Sequence, residues 1–467
     1  MASLLLAACG STLTPDQAAQ QGALGAAGSG GTLPGAEGSA GGVAGSPVGG
    51  GGVGGGTSTD SGRSGGSGSG EAISAPQTGA NAADSGVKAG KCAGLENQTG
   101  VTDDKIVIAN ASDVSGPIPG LFESAQEGTK AYVEYFNATS DICGRKLELV
   151  SYDTRTDSGG DQEAAVKACE NAFAMVGSMS AFDNGGTSQI EECGIPDLRV
   201  ATVDPGRYAL PNVFGTQSNR TDLLPTAMPQ YVAKVAPEGK EAMGLVYTSS
   251  AAASVAAEHT GGAFEKNGFD IVYEQQIDST EFNYSPYVLE MEQEGVKTVF
   301  MIGAYQHTVR MAKAMDEQGY EPDAYVVQPS SYDQAFLETG GSAVEDTLIY
   351  TDSGLFEQPT PELRLYQQWL AQVAPDSNPS YFGQYAWGGT RLFVDKAIGL
   401  GGKLDRDSLI AELSKVNGYT ANNMFAPQQI GAKKTPECTQ FIQVQDGAFV
   451  KHSPGKYMCQ GVTDSGE

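Results

Sequence analysis

Basic residues are scarce in this chain of 467 residues. It has 28 lysines and arginines against 56 aspartates and glutamates, which gives a formal net charge of −28 at pH 7. Nucleic-acid binding depends on patches of lysine and arginine that neutralise phosphates. The composition therefore argues against a nucleic-acid partner, and we interpret the acidic surface first of all as a solubility feature.

Patterns that bind metals or carry catalysis are also scarce. The three histidines, His259, His307 and His452, are scattered, and no CxxC pair occurs. Zinc sites need such clusters, so we predict no metal and no other cofactor. The alternating part of the chain has no nucleophile elbow, phosphate loop or dinucleotide fingerprint. An enzyme would depend on carboxylates alone, and an extracellular hydrolase of that kind is the less favoured alternative to a non-enzyme.

Long apolar runs are missing, since no segment has the roughly 18 apolar residues of a membrane span. A short apolar run, Leu4–Ala8, does precede Cys9 and resembles the bacterial lipobox. We therefore expect residues 1–9 to be a lipoprotein signal that ends at a lipidated Cys9. The basic segment that usually precedes such a run is absent, so the natural start would lie upstream or the sequence would be truncated. The alternative is a chance apolar start with a stray cysteine.

Residues 10–98 follow as a predicted tether. Between positions 21 and 70, 22 of the 50 residues are glycine. Such a stretch cannot bury enough apolar surface to offset its ordering entropy. We expect a disordered, Gly/Ser-rich tether that holds an extracytoplasmic domain to the outer face of the cell membrane through the lipid alone.

The seven cysteines of the chain agree with an extracytoplasmic location. Cys9 would carry the lipid, which leaves six that can form disulfides in an oxidising compartment. Two of the six flank a predicted hairpin, two flank the end of a helix and the start of the next strand, and two remain. The predicted pairs are Cys438–Cys459, Cys169–Cys193 and Cys92–Cys143.

Strands and helices alternate from residue 104 onward. Lys105–Ala109 is typical of a buried strand, and apolar residues between 122 and 136 recur at helical spacing. The series restarts after a break near Arg220 with the strand Ala242–Tyr247. Regular alternation predicts parallel sheets with helices on both faces. We predict an α/β fold of two doubly wound lobes, with a cleft at the carboxyl ends of the strands.

Several short sequence segments follow one another in a characteristic order along this part of the chain. They are Asp113–Pro117, Tyr152–Thr154, Val176–Ser180, Ile195–Pro196, Ala201–Pro205, Asn212–Phe214, Phe282–Tyr284 and Gln445–Val450. Together they resemble the type I periplasmic solute-binding proteins, especially the branched-chain amino-acid-binding (leucine-binding-like) group of ABC importers. The resemblance covers roughly residues 100–452.

This resemblance implies a clam-shell domain over residues 99–460, with a three-strand hinge between its lobes. Lobe 1 would hold about 104–221 and 355–420, and lobe 2 about 222–354 and 421–460. The implied function is capture of a small solute, such as an amino acid or amide, and delivery to ABC permease subunits. A sensory receptor component of the same fold is the alternative.

The resemblance also implies which residues touch the ligand. In this family the first lobe holds an amino acid's carboxylate with hydroxyl and backbone N–H groups, and the second lobe holds its ammonium. The candidate positions are Ser115, Ser178, Ser180, Ala201 and Thr202 in the first lobe, and Ser249 and His307 in the second. Tyr305 and Tyr332 lie on or near predicted cleft loops and could stack on a ligand, and Asp333 beside Tyr332 could supply a carboxylate.

The sequence departs from the family at four positions, two of which are the usual second hydroxyl of a first-lobe loop, at Ala181 or Ser180, and the usual second-lobe tyrosine, near Ala252. The usual ammonium-binding carboxylate falls at His307, and the usual threonine of a first-lobe loop falls at Val203. A buried ammonium without a carboxylate is costly. Asp183, Asp204 or Asp333 would have to replace it, so the resemblance leaves the solute open.

Overall fold

The computed structural model describes residues 88–220 and 222–466. The predicted signal with Cys9, and the predicted tether up to residue 87, lie outside these described residues. Within the described residues, no helix is long and apolar enough to cross a membrane.

Residues 90–98, predicted above as the end of the tether, instead attach to the first lobe. The amide of Gly90 donates to the carbonyl of Ile398 at 2.9 Å, and Cys92 is disulfide-bonded to Cys143. Composition alone placed the boundary at residue 98. The covalent bond and the backbone pairing correct it, because they hold this segment against the folded part.

Five short parallel strands form the first sheet, and helices connect them. The strands are β1 (Lys105–Ser112), β2 (Lys146–Asp153), β3 (Ala174–Val176), β4 (Asp197–Arg199) and β5 (Val213–Gly215), in the order β2-β1-β3-β4-β5. The connecting helices are α1 (Glu123–Thr139), α2 (Ser158–Asn171), α3 (Thr187–Cys193) and α4 (Pro205–Ala209).

The sequence of β1 explains its central place in this sheet. From Ile106 to Ser112 every residue of the strand is buried. Such uninterrupted burial is typical of parallel strands whose two faces are both covered by helices. Helix α1 covers one face, and it buries Ala125, Tyr132 and Phe136 at helical spacing.

The second lobe contains a larger mixed sheet. Its strands are β7 (Met243–Thr248), β8 (Ile271–Ile277), β9 (Thr298–Ile302), β10 (Ala324–Val327), β11 (Leu348–Thr351), β12 (Cys438–Gln445) and β13 (Ala448–Lys451), in the order β13-β12-β11-β10-β9-β7-β8. The strands from β8 to β11 are parallel, whereas β12 runs antiparallel to both of its neighbours. A strand that arrives by a short hairpin must be antiparallel, which accounts for β13.

Further elements complete this lobe. Strand β14 (Met458–Cys459) pairs with β12, and β15 (Val462–Asp464) pairs with β6 (Leu223–Pro225). The helices are α5 (Ala227–Val235), α6 (Ala251–Lys266), α7 (Ser285–Gln293), α8 (Tyr305–Gln318) and α9 (Gln334–Gly340), with single 3₁₀ turns at Glu238–Lys240, Pro329–Ser331 and Gly341–Val344.

Three later helices return to the first lobe. They are α10 (Pro361–Val373), α11 (Tyr381–Leu400) and α12 (Arg406–Leu413), and a 3₁₀ turn at Gly401–Lys403 separates the last two. Leu363, Trp387 and Phe393 share a hydrophobic core with Ile108 and Phe136. The first lobe is therefore built from two separate stretches of chain.

The stretch after α12 also belongs to this core. Ala421, Phe425 and Ile430 pack in it, although the sequence boundary assigned residues 421–460 to the second lobe. The return to the second lobe comes later, before β12. Irregular segments of this kind carry no periodic pattern, so their core contacts are decided only by the fold.

Three passages of chain join the lobes, and Gln428 links all of them. Its Oε1 accepts from the amide of Ser218 at 3.0 Å, and its Nε2 donates to Asp352 at 3.0 Å. Ser218 lies on the passage after β5, Asp352 on the passage after β11, and Gln428 on the passage before β12. The predicted fold class, two doubly wound α/β lobes with a three-strand hinge, is confirmed.

Three disulfides lie within the described residues. They join Cys92 to Cys143, Cys169 to Cys193 and Cys438 to Cys459, which are the pairs predicted from the sequence. Cys438 and Cys459 sit opposite each other on the paired strands β12 and β14. The last bridge therefore fastens the C-terminal segment to the second sheet.

Candidate functional site

A cavity of about 230 Å³ lies between the two lobes. It is lined by loops that follow β3, β4 and β5 in the first lobe, and β7, β9, β10 and β11 in the second. Parallel strands place their carboxyl ends at one edge of a sheet, so these loops converge from both sides.

Most of the cavity wall is apolar. The first lobe contributes Ile118, Leu121, Phe122, Met179, Val203 and Phe382. The second lobe contributes Leu224, Pro225, Met228, Ala252, Ala253 and Ala256. Ala252 also packs against the hydrophobic core of the first lobe, so the lobes are in contact beside the cavity.

Polar side chains gather where the hinge passages reach the cavity. Asp352 accepts a hydrogen bond from the hydroxyl of Tyr381 at 2.8 Å and a second from Gln428. Gln217 donates in turn to the hydroxyl of Tyr381 at 2.5 Å. Burial raises the pKa of Asp352, and the hydrogen bonds that it accepts oppose this effect. Gln217, Asp352 and Tyr381 all line the cavity, and we call them the hinge triad.

Thr202 is the polar side chain of the first-lobe loops with unmet hydrogen-bonding capacity at the cavity. Its residue is 3% exposed, and its hydroxyl has no hydrogen-bond partner among the described residues. A buried hydroxyl without a partner is uncommon in folded proteins. Because Thr202 lines the cavity, a bound molecule is a natural partner for it.

A buried ion network supports the loop that carries Thr202. Arg207 lies 2.8 Å from Asp197 and 3.5 Å from Asp161, and all three side chains are almost fully buried. Asp183 accepts from the amides of Val203 and Asp204 at 3.0 and 2.8 Å. These contacts fix the loop beside the cavity, because carboxylates inside the first lobe accept hydrogen bonds from its backbone amides.

The sequence of residues 105–448 matches the family model described as periplasmic binding protein. This chain belongs to that family. No curated protein sequence matches it.

Solved structures share the fold of this periplasmic binding protein at low sequence identity. A fatty acid ABC transporter substrate-binding protein from Thermomonospora curvata is 19% identical, with a TM-score of 0.67, over 79% of this chain and 95% of that one. The leucine-binding protein LivK from Thermotoga maritima is 16% identical, with a TM-score of 0.64, over 74% and 98%. A solute-binding protein from R. palustris in complex with 4-hydroxybenzoate is 16% identical, with a TM-score of 0.63, over 77% and 98%.

Two of the residues predicted to bind ligand line the cavity of this periplasmic binding protein. They are Ala201 and Thr202, in the loop after β4. Ser178 and Ser180 are fully buried behind the wall, where their hydroxyls accept from the amides of Ala111 and Phe182. Both serines therefore support the loops instead of lining the cavity.

Two other predicted serines lie on the surface. Ser115 is exposed and donates a hydrogen bond to Asp153. Burial raises the pKa of Asp153, but the hydrogen bonds from Ser115 and from neighbouring amides outweigh it and lower the pKa to about 2. Ser249 is exposed and contacts Ser279. Its neighbours on either side, Thr248 and Ser250, line the cavity. The prediction for Ser249 was thus displaced by one residue, which in a loop turns a side chain away from the site.

His307 lies in the core of the second lobe and not at the cavity. It is 1% exposed, and its Nδ1 is 2.8 Å from the hydroxyl of Tyr284. Burial, with a smaller contribution from Arg310, lowers the pKa of His307 to about 4. The histidine is consequently neutral near pH 7 and part of the packing.

Tyr305, Tyr332 and Asp333 line a separate small cavity of about 60 Å³ between the lobes. The hydroxyl of Tyr332 donates to Glu357 at 2.6 Å, and Asp333 caps α9 by accepting from the amide of Ala335. These three residues lie next to the main cavity and do not line it. The structure brings them together with one another, but not with Thr202.

The hinge triad was missed in the sequence. Asp352 follows the strand Leu348–Thr351 directly, and a carboxylate at the carboxyl end of a parallel strand is a sequence feature that indicates a residue near the cleft. Gln217 and Tyr381 are far from it in sequence, and nothing local connects the three. They meet because the hinge passages run side by side.

Proposed function

We propose that this chain is the extracytoplasmic substrate-binding component of an ABC importer. It captures a small solute in the interlobe cavity and delivers it to permease subunits. The observation that carries the proposal is one cavity whose walls come from both lobes and from the hinge. A ligand in such a place contacts both lobes at once only when they are closed, and it therefore stabilises the closed state.

The unpartnered hydroxyl of Thr202 supports this function further. A binding protein needs polar groups that are aimed into a mostly apolar cavity and await a ligand. Among the buried unpartnered hydroxyls of the described residues, that of Thr202 belongs to a residue that lines the cavity, so a ligand can reach it. The names of the structural relatives, which mention a fatty acid, leucine-binding and 4-hydroxybenzoate, agree with small organic solutes as a class.

Anchoring belongs to the same proposal. Cys9 carries the lipid, and the glycine-rich stretch lets the folded part reach the permease at the membrane surface. The test is metabolic labelling of cells with a fatty acid, comparing the natural chain with Cys9→Ser. Label should be lost in the variant, and label that persists would remove the anchoring proposal while leaving capture intact.

Thermal-shift screening tests capture itself, with amino acids, amides, polyamines, alcohols and aromatic acids as candidate solutes. A ligand at 100 times its Kd adds about 2.7 kcal/mol to the free energy of unfolding. A matched pair of variants locates the binding: Ala252→Phe fills the cavity, whereas Ala251→Phe alters the neighbouring helix residue outside the lining. We expect the shift to vanish in Ala252→Phe and persist in Ala251→Phe. A screen without any shift would contradict capture.

A further inference from the structure

The C-terminal end of the described chain runs from one hinge passage to another. Residues 457–465, which we call the C-terminal strap, contain β14 and β15. Strand β14 pairs with the first two residues of β12, and β15 pairs with the whole of β6. The strap lies beyond residues 105–448, the part of the chain that matches the family model, so the family match assigns it no role.

The two strands that pair with the C-terminal strap are the second-lobe ends of two hinge passages. Strand β6 follows the passage after β5, and β12 follows the passage that carries Gln428. Leu224 and Pro225 of β6 line the cavity, and so do Cys438 and Thr439 of β12. All four of these residues lie opposite a residue of the strap. The strap therefore lies directly beside this part of the cavity wall.

Side-chain and backbone contacts fix β15 against the second lobe. The hydroxyl of Thr463 accepts from Nδ2 of Asn267 at 3.1 Å. The amide of Ser465 donates to the carbonyl of Asp222 at 2.8 Å, and its hydroxyl lies 2.7 Å from Nδ1 of His259 in α6. Strand β15 is thus attached both to α6 with its C-terminal end and to the hinge passage after β5.

A covalent bond fixes β14, because the disulfide Cys438–Cys459 joins it to β12. Tyr457 precedes β14, and its hydroxyl is buried without a hydrogen-bond partner among the described residues. Burial raises the pKa of Tyr457, and the nearby carboxylate of Asp352 raises it further. Because Asp352 belongs to the passage after β11, the C-terminal strap lies beside all three hinge passages.

The same two passages are also linked nearer the first lobe. Gln428 accepts there from the amide of Ser218 at 3.0 Å. Between this link and the C-terminal strap, the amide of Arg220 donates to the hydroxyl of Thr435 at 2.8 Å. A hinge absorbs lobe motion through backbone rotation in a few residues. Since the two passages are linked at both ends and between them, these residues must turn together.

We infer that the C-terminal strap makes two of the three hinge passages act as one unit, and that it thereby limits how far the lobes open. Cys459 and Thr463 are positioning residues, because they act on the cavity through Cys438 and Leu224 opposite them. The inference rests on the proposed function in one respect, which is that capture needs lobes that open and close.

Pulsed electron paramagnetic resonance between two nitroxide labels tests the inference without any solute. The labels replace Arg155 and Phe282, which are exposed and do not line the cavity. These positions follow β2 and β8, the edge strands away from the hinge passages, so opening of the lobes moves them apart. Keto amino acids carry the labels, so that the disulfides stay intact.

The decisive variant lacks residues 456–467 and carries Cys438→Ser. We expect its distance distribution to broaden and the mean to lengthen by more than about 2 Å, the scale of a domain rearrangement. Cys438→Ser with Cys459→Ser should show a smaller change in the same direction. The matched control, Cys169→Ser with Cys193→Ser, removes a disulfide that closes a first-lobe loop of similar length and should leave the distribution unchanged.

An unchanged distribution in the truncated chain overturns the inference. Equal broadening in the control also overturns it, because the general loss of a disulfide would then be sufficient. If circular dichroism shows that the truncated chain does not fold, the Cys438 and Cys459 double variant decides by the same two criteria. The thermal-shift screen tests capture on the natural chain, so a failure of capture and a failure of the strap's role are seen in separate measurements.

Discussion

Thr202→Val separates a binding role from a structural one, because the two roles predict opposite signs for stability. The hydroxyl of Thr202 is buried and has no hydrogen-bond partner among the described residues. Leaving a buried polar group unsatisfied costs about 1–3 kcal/mol. Valine keeps the shape and removes the hydroxyl. In the absence of ligand, we expect Thr202→Val to raise the free energy of unfolding by about 1 kcal/mol.

The same substitution should weaken ligand binding. A neutral hydrogen bond contributes about 0.5–1.5 kcal/mol net, which corresponds to an affinity loss of about 2- to 13-fold. Urea denaturation measures the first effect, and titration with an identified solute measures the second. The variant should thus be more stable and bind less well.

Thr216→Val is the matched control. The hydroxyl of Thr216 is also buried and without a partner among the described residues, but Thr216 does not line the cavity. We expect a similar gain in stability with affinity unchanged. If Thr202→Val lowers stability, its hydroxyl has a partner in solution and the reasoning fails. If affinity falls equally in both variants, the loss is not specific to the cavity.

Three further changes test the support around the site. Arg207→Leu leaves the buried carboxylate of Asp161 without its arginine and leaves Asp197 with Arg199 alone, so the free energy of unfolding should fall by about 3–5 kcal/mol in urea denaturation. His307→Gln removes a group that is neutral in the folded protein and gains a proton on unfolding. Because its pKa is lowered to about 4, the natural chain should lose up to about 3 kcal/mol relative to the variant as pH falls from about 6.5 to 4, and no more below. Replacing the Cys438–Cys459 disulfide by serines should cost about 3 kcal/mol and also weaken solute binding, since Cys438 lines the cavity.

Each of these changes has a comparison. Arg364→Leu removes an exposed arginine and should shift stability by less than about 0.5 kcal/mol. Removal of the Cys169–Cys193 disulfide, which closes a loop of similar length, should cost similar stability and spare affinity. For His307, a stability difference that does not vary between pH 6.5 and 4 would contradict a buried neutral imidazole.

The fold could be predicted because it depends on repeated local patterns. Strands such as Ile106–Ser112 are apolar throughout, and helices such as α1 bury residues at regular spacing. These patterns recur many times along the chain, so an error in one of them leaves the architecture unchanged. Two of the disulfide pairs, Cys169–Cys193 and Cys438–Cys459, followed from the positions of the cysteines beside predicted elements, and Cys92–Cys143 followed by elimination.

Residues that line the cavity could be predicted from the sequence only where they directly follow the end of a strand. Ala201 and Thr202 line the cavity because the loop after β4 opens directly into it. Ser249 lies one residue away from the lining, and His307 lies outside it because its own side chain, in the first turn of α8, points into the core of the second lobe. A side chain's direction in a loop or a helix start depends on packing that the sequence does not display.

The sequence by itself determined the two-lobed α/β architecture, which follows from local periodicity, and the cysteine pairs. Only the tertiary structure decided the character of the cavity. Asp352, Tyr381 and Gln217 become neighbours because three hinge passages run side by side. The amides of Ala181 and Val203 are held by Asp113 and Asp183, which come from other parts of the first lobe. Contacts between residues so distant in sequence exist only after the lobes have formed.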